Sequence, residues 1–252
     1  MPLLAIWPFT RGAQSAPVLA FINGMEERWD FCADAARHLS SRYRTFSLEL
    51  PWCGTRGQGW SARRGAADWI AEACRLLPRT ADVLAAHSFG SNALLAHLDG
   101  GAASVRAVVL LAPFYKPRQE MFDWTLFHYY VKEFARLLES GFETRAETAR
   151  LPEPMKAAMA ARVRERIGPC GWLQFFDLFS RTPDLRLERM RFPCLVVAGE
   201  HDFAATPDDC RALARGLPSA TVQIMPGHGH FFLSQQPQRV ASCIERFLSE
   251  HL

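Results

Sequence analysis

Residues 82 to 92 read Asp-Val-Leu-Ala-Ala-His-Ser-Phe-Gly-Ser-Asn, an apolar strand running into a tight turn and then into a helix. That is the setting in which a serine hydroxyl becomes a nucleophile. Strand and helix pass close to each other at such a turn, so the residues two positions either side of Ser88 must be very small, and Ala86 and Gly90 meet that need. The helix that follows aims its N-terminal amides and the positive end of its dipole at the same spot, which favours a developing negative charge.

A serine of this kind needs an acid and then a histidine, each at the end of a later strand. Pro193 to Gly199 is a short, wholly apolar run, as expected for a strand buried on both faces of a parallel sheet, and Glu200-His201-Asp202 follows directly. Asp202 is the candidate acid, with Glu200 second. Asp208 and Asp209 fit better as acids of a helix start, where Thr206 can cap and Pro207 occupies the first turn. Ala220 to Met225 reads as another strand, closed by Pro-Gly-His-Gly-His-Phe-Phe. Of its two histidines, His230 is preferred: it follows a glycine, precedes an aromatic pair, and lies seven residues ahead of Pro237, which opens the last helix. His228 is expected to be a loop or supporting residue. A metal pair is disfavoured, because no Cys or acid cluster with ligand spacing accompanies the two histidines.

With these residues in place the chain resembles the α/β-hydrolase superfamily. The stretch from Pro193 to Leu252, with its strand, Gly-Glu-His-Asp, Pro-capped helix, strand, Gly-His-Phe and final helix, is similar to the ending of the cap-bearing hydrolases. The resemblance implies Ser88 as nucleophile, Asp202 as orienting acid and His230 as general base. It also implies an oxyanion hole built from the Met25 and Phe89 amides. Here the chain departs from the family pattern: Val18 to Ile22 leads into Asn23-Gly24-Met25, where the family usually has His-Gly. Gly24 allows the turn, while Asn23 reads either as a turn residue or as a substrate contact.

The elements that must position these groups alternate strand and helix, the signature of a mostly parallel sheet covered on both faces. Trp29, Cys32, Ala36 and Leu39 mark one helix face, Ala67, Ile70, Cys74 and Leu77 another, and Val240, Ile244 and Phe247 the last. Val105 to Ala112 is the strand after the nucleophile helix. From Phe114 to about Met190 the pattern is helical and dense in aromatics, so residues 1–113 and 191–252 are read as an α/β core and 114–190 as a helical cap or lid. Trp124 and Phe127, from the stretch Phe122 to Phe134, are candidates to line the pocket, with packing of the cap onto the core as the alternative for each ring, and Trp52 and the Asn23 loop are further candidates. The Arg162, Arg164 and Arg166 series reads as a solvated helix face or, alternatively, as a site for an anionic carrier.

The 252 residues suit one α/β domain, with 49% hydrophobic and 22% charged residues. A net charge of +3, spread without a basic block, argues against a nucleic-acid partner. Seven cysteines without paired spacing read as reduced core residues, with Cys53 the one near the expected site. Met1 to Phe9 lacks a positive n-region and carries Pro2 and Pro8, so neither export nor a membrane span is indicated. Arginine far outnumbers lysine, as in proteins of GC-rich bacterial genomes. The expectation is a cytoplasmic bacterial enzyme needing neither cofactor nor metal and acting on a hydrophobic small molecule. Its reaction would be cleavage of an ester, thioester or lactone through an acyl-enzyme. Ser88 argues against the epoxide hydrolases and haloalkane dehalogenases of this fold, which use an aspartate nucleophile. Acyl transfer, elimination or cyclisation in specialised metabolism on the same triad is the alternative, and a non-catalytic ligand-binding protein the second.

Overall fold

Among the described residues seven short strands form the central sheet, and four of them are buried from end to end because helices cover both faces of the sheet. The structure, a computed structural model, describes residues 4–9, 13–53, 60, 64–101, 104–144 and 146–252. Met1 to Leu3 of the amino-terminal stretch lie outside these, as does Gly54 of the loop after Leu50. The strands are β1 (Ala5–Pro8), β2 (Val18–Ile22), β3 (Arg44–Glu49), β4 (Val83–His87), β5 (Ala107–Leu111), β6 (Cys194–Gly199) and β7 (Ala220–Met225). They lie in the order β1-β3-β2-β4-β5-β6-β7, and every neighbouring pair is parallel except β1 with β3. β2, β4, β5 and β6 are buried throughout, which accounts for their unbroken apolar sequences.

The edge strand β1 has no counterpart in the sequence reading. Four residues ending in a proline carry no periodic signal, and the strand is half-exposed. It is held by side chains: the Trp7 indole N–H donates to the Glu49 carboxylate at 2.6 Å, and its ring stacks on Trp29 at 4.6 Å. Trp29 therefore lies ahead of the first helix instead of on its face.

In the described residues the helices α1 (Ala33–Leu39), α2 (Ala66–Arg75) and α3 (Phe89–Asp99) follow β2, β3 and β4. α2 buries Ala66, Trp69, Ile70 and Ala73; of the expected Ala67, Ile70, Cys74 and Leu77, Ile70 and Leu77 are buried and Ala67 and Cys74 half-buried. The large Trp69 ring takes the core position, and its N–H donates to the Trp60 carbonyl at 3.2 Å. Between β5 and β6 the chain is helical, as α4 (Trp124–Phe142), α5 (Ala146–Ala149) and α6 (Glu153–Ser180), the last broken by Gly168 at φ 64° with Pro169 next. α7 (Pro207–Gly216) follows β6, and its Thr206 cap accepts from the Asp209 amide as expected. α8 (Phe232–Gln235) and α9 (Pro237–His251) end the chain, with Val240, Ile244 and Phe247 buried.

The helical segment is pinned to the sheet by rings. Phe114, at its start, meets Phe175 of α6 edge-on at 5.0 Å and Tyr130 of α4 at 6.0 Å. The buried Tyr130 hydroxyl donates to the Ala204 carbonyl at 2.8 Å, tying α4 to the loop after β6.

The first turn of α3 presses directly on the end of β2, which is why position 90 is glycine. A Cβ there would lie 2.6 Å from the Asn23 carbonyl oxygen and 2.8 Å from that of Ile22, both backbone atoms. Gly90→Ala is expected to lower the free energy of unfolding in urea by about 1 to 3 kcal/mol or to prevent folding. Gly65→Ala, whose Cβ meets only the end of Asp68 at 3.6 Å, is the control. Its expected cost is under about 1 kcal/mol, and equal losses for the two variants would refute this account.

Candidate active site

β4 ends at His87 and α3 begins at Phe89, so Ser88 alone makes the turn, at φ 53° and ψ −129°. A non-glycine residue there is strained by on the order of 1 to 3 kcal/mol and must be held by its surroundings. The Ser88 amide donates to the Leu111 carbonyl at 2.8 Å, and the Ser91 hydroxyl donates to the Ala86 carbonyl at 2.7 Å, closing the turn from both sides.

The three residues singled out from sequence meet here. Ser88 Oγ is 2.8 Å from His230 Nε2, and His230 Nδ1 is 2.7 Å from Asp202 Oδ2. The other carboxylate oxygen of Asp202 accepts from the Ala204 and Ala205 amides, both at 2.9 Å, which fixes the plane of the group. An ionised carboxylate only accepts, so Nδ1 carries the imidazole hydrogen and Nε2 is left to accept from the Ser88 hydroxyl. His230 and Asp202 are both buried. Glu200 is exposed and accepts from the Gly227 amide, and His228 faces Gln235 at 3.2 Å, so neither joins the chain. Asp209, read as a helix-start acid, also receives the Lys116 ammonium at 2.7 Å.

Met25 and Phe89 line the same cavity as Ser88 and His230, and the first amides of a helix have no intrahelical acceptor. Gly24 is needed for close approach: a Cβ there would come within 2.9 Å of the Glu27 carboxyl and 3.0 Å of Ser88 Cβ. Asn23 faces away from the cavity, donating from Nδ2 to the Ser47 hydroxyl at 3.0 Å and accepting at its carbonyl from the Trp52 indole N–H at 3.0 Å. Trp52 is likewise buried, its ring edge-on to Phe89 at 5.3 Å. Among the described residues neither lines the cavity that holds Ser88, so Asn23 follows its reading as a turn residue and Trp52 departs from its reading as a pocket candidate. Both brace the loop: the Asn23 amide ties it to the Ser47 hydroxyl of β3, and the Trp52 indole N–H satisfies the Asn23 backbone carbonyl.

The cavity above Ser88 measures about 360 Å³. Its apolar walls include Phe134, Leu137, Leu138 and Phe142 of α4 with Met159 and Val163 of α6. Trp124 and Phe127 are absent from this lining, which corrects the expectation for them. About 20 Å of helix rise separates Trp124 from Leu137, and Trp124 is 86% exposed. Phe127 packs edge-on against Phe176 at 5.2 Å, joining α4 to α6. Within the aromatic stretch Phe122 to Phe134, Phe134 is the ring that reaches the cavity.

Sequence reasoning missed two acids in the loop after β2. Glu26 pairs with Arg166 of α6, so one of the three arginines meets the loop beside Met25 and lines the cavity. Burial raises the Glu26 pKa, against the lowering effect of the Arg166 hydrogen bond and charge. Glu27 is buried against His87, Oε1 to Nδ1 at 2.7 Å. A run of two acids directly after Asn23-Gly24-Met25 was the available signal. All seven cysteines are thiols; burial pushes Cys194 up to about 12 and Cys74 up to about 11. Among the described residues no group of three His, Cys, Asp or Glu could hold a metal ion, and no helix is long and apolar enough to cross a membrane.

The sequence profile of the alpha/beta hydrolase family matches residues 19–242. No curated protein matches the chain by sequence. Among solved structures, the carboxylesterase CesB from Bacillus subtilis superposes with a TM-score of 0.68 at 19% identity, covering 99% of this chain and 88% of that one. MenH from S. aureus gives 0.68 at 16% identity, with 100% and 99% covered. Est816, an N-acyl homoserine lactone degrading enzyme, gives 0.67 at 16% identity, with 97% and 96% covered.

Trp52→Phe keeps an aromatic ring but deletes the N–H that satisfies the Asn23 backbone carbonyl, together with part of the buried indole. A loss of about 1 to 3 kcal/mol of folding stability is expected, read from denaturant unfolding, because the acceptor is buried. A loss below about 0.5 kcal/mol would mean that the loop does not depend on this bond.

Proposed function

The chain belongs to the alpha/beta hydrolase family, and we propose that it is a serine hydrolase cleaving an ester, thioester or lactone that carries an apolar acyl group. The observation that carries this reading is the unbroken hydrogen-bonded chain from Ser88 through His230 to Asp202 at the floor of an apolar cavity. In the proposed cycle Ser88 Oγ attacks the carbonyl carbon while His230 Nε2 takes its proton. The Met25 and Phe89 amides receive the oxyanion. Collapse expels the alcohol or thiol, which takes the proton from His230. Water, deprotonated by the same nitrogen, then releases the acid and restores Ser88. Asp202 holds the ring and stabilises its charged form without itself taking the proton.

The likeness to a carboxylesterase and to a lactone-degrading enzyme agrees with this bond class. We further propose that residues 114–190 act as a cap, with α4 and α6 walling the acyl group from water. A dry wall suits acyl transfer as well as hydrolysis, and the two are separated by labelling and turnover together.

The test is a fluorophosphonate probe with a panel of acyl esters and thioesters. Ser88→Ala should abolish labelling and lower turnover by about three orders of magnitude or more. His230→Ala should match it, Asp202→Asn should cost less, and His228→Ala should be mild. Labelling at another residue, or an inactive His228 variant beside an active His230 variant, would refute the assignment. Labelling of Ser88 without turnover of any member would favour acyl transfer.

Leu138→Trp should fill the cavity and raise KM for long-chain p-nitrophenyl esters about tenfold or more, sparing the acetate. Trp124→Ala, exposed and remote, should alter neither. Equal effects of Leu138→Trp on long and short esters would place the acyl group elsewhere.

A further inference from the structure

Behind the serine lies a second histidine–carboxylate pair that the proposed cycle does not use. His87, the last residue of β4, is fully enclosed, with Nδ1 2.7 Å from Glu27 Oε1 and Nε2 3.1 Å from the backbone oxygen of His230. The other oxygen of Glu27 accepts from the Gly24 amide. One continuous set of contacts therefore runs from the loop that carries Met25, through Glu27 and His87, to the backbone of His230. Its ends are the Gly24 amide, one residue before Met25, and the main chain of His230.

The arrangement fixes a proton count. The His230 carbonyl is an acceptor, and an ionised Glu27 is an acceptor, so the ring between them satisfies both only with hydrogen on both nitrogens. A singly protonated ring would turn a lone pair toward one buried acceptor. If the proton sits on Glu27 instead, the carboxyl donates to Nδ1 and Nε2–H still donates to the carbonyl. In either form the pair holds one proton more than a carboxylate with a neutral imidazole. The charged and titratable groups around His87 are Glu27 from the loop after β2, Asp202 from the loop after β6 and His230 from the loop after β7; the rings of Phe31, Phe231 and Phe232 close the remaining sides. Burial opposes a charged His87, but the charge and hydrogen bond of Glu27, the His230 carbonyl and the charge of Asp202 outweigh it and raise its pKa above 6.5.

We propose that Glu27 and His87 form a proton-holding positioning pair that keeps the Gly24–Met25 loop and the His230 backbone at their working separation. Its kinetic consequence rests on the serine-hydrolase reading of the same site; its structural consequence does not. When the proton leaves for solvent, the pair keeps a net negative charge beside Asp202, and one of its two bonds becomes a repulsion. For a pKa raised by folding, the stabilisation is complete below the ordinary value of 6.5 and is lost as pH rises through the raised value.

Glu27→Gln isolates the proton from the contacts. The glutamine oxygen can accept from Gly24, its NH₂ can donate to Nδ1, and a neutral His87 then donates from Nε2 to the carbonyl, all without a titrating proton. Wild type, Glu27→Gln and Glu27→Ala are compared by thermal midpoint and by kcat and KM for p-nitrophenyl butyrate from about pH 6 to about pH 10. Glu27→Ala is expected to lose about a hundredfold in kcat, with KM less affected. Glu27→Gln should restore most of that loss and should lack the alkaline fall in kcat and midpoint shown by the wild type. Superposable pH curves for wild type and Glu27→Gln would overturn the proposal, as would a glutamine variant no better than alanine. Should Glu27→Ala fail to fold, the wild-type and glutamine curves decide alone. Should the wild type turn over no ester, the hydrolase reading fails, and the pH dependence of the two midpoints still decides whether the pair holds a proton.

Discussion

The site depends on one constraint: a serine held in left-handed backbone between a strand and a helix. At φ 53° the Ser88 side chain stands clear of both elements, and nothing local to serine favours that angle. The sheet supplies the restraint. β4 is clamped between β2 and β5, the Ser88 amide is held by Leu111, and the first turn of α3 rests on the carbonyls that end β2. The residues that hold the turn also set the distance to the oxyanion loop, because the carbonyls pressing on Gly90 belong to Ile22 and Asn23. Ser88 and the loop after β2 are in this way spaced by the packing of main chain on main chain, which has little slack.

That economy of contact explains how much of the site was legible beforehand. Ala86 and Gly90 are readable because steric exclusion at a turn acts on residue identity at fixed spacing. Asp202 and His230 are readable because buried parallel strands are bare apolar runs, and the polar residue that follows each lies at the same edge of the sheet. The helical segment between β5 and β6 was legible only in kind. Aromatic density marks a helical segment well, but whether a ring on α4 meets the cavity or another helix depends on its distance along the axis. Trp124 and Phe127 fell on the wrong side of that division, and Leu137, Leu138 and Phe142 on the right one. Trp52 was placed near the site correctly but facing the wrong way, since the direction of a side chain in a loop is set by partners distant in sequence, here the Asn23 carbonyl. β1 was invisible, because four residues ending in proline leave no period to detect.

Two contacts of the helical segment fall on the loops beside Asp202 and Met25. Tyr130 reaches the Ala204 carbonyl, two residues beyond Asp202, and Arg166 reaches Glu26, next to Met25. α4 and α6 therefore do more than enclose the cavity. They contact the loop after β6 and the loop after β2 from one side while the sheet holds both from the other, so a shift of α4 or α6 would be felt beside Asp202 and beside Met25.

Two histidine–carboxylate pairs lie within 5.2 Å of each other, ring centre to ring centre, and the atoms opposite each ring decide what each can do. Both rings turn Nδ1 to a carboxylate at 2.7 Å. His230 turns Nε2 to a hydroxyl, which can donate or accept, so that ring can take a proton and return it without losing its partner. His87 turns Nε2 to a carbonyl, which can only accept, so that ring keeps its hydrogen or forfeits the contact. The carboxylates differ in the same sense: Asp202 is held by two backbone amides and is free to face a ring of changing charge, whereas Glu27 shares its second oxygen with the loop it positions. One difference in the opposing atom, hydroxyl for carbonyl, separates a histidine that can pass a proton across its contact from one that must keep its hydrogen to keep that contact.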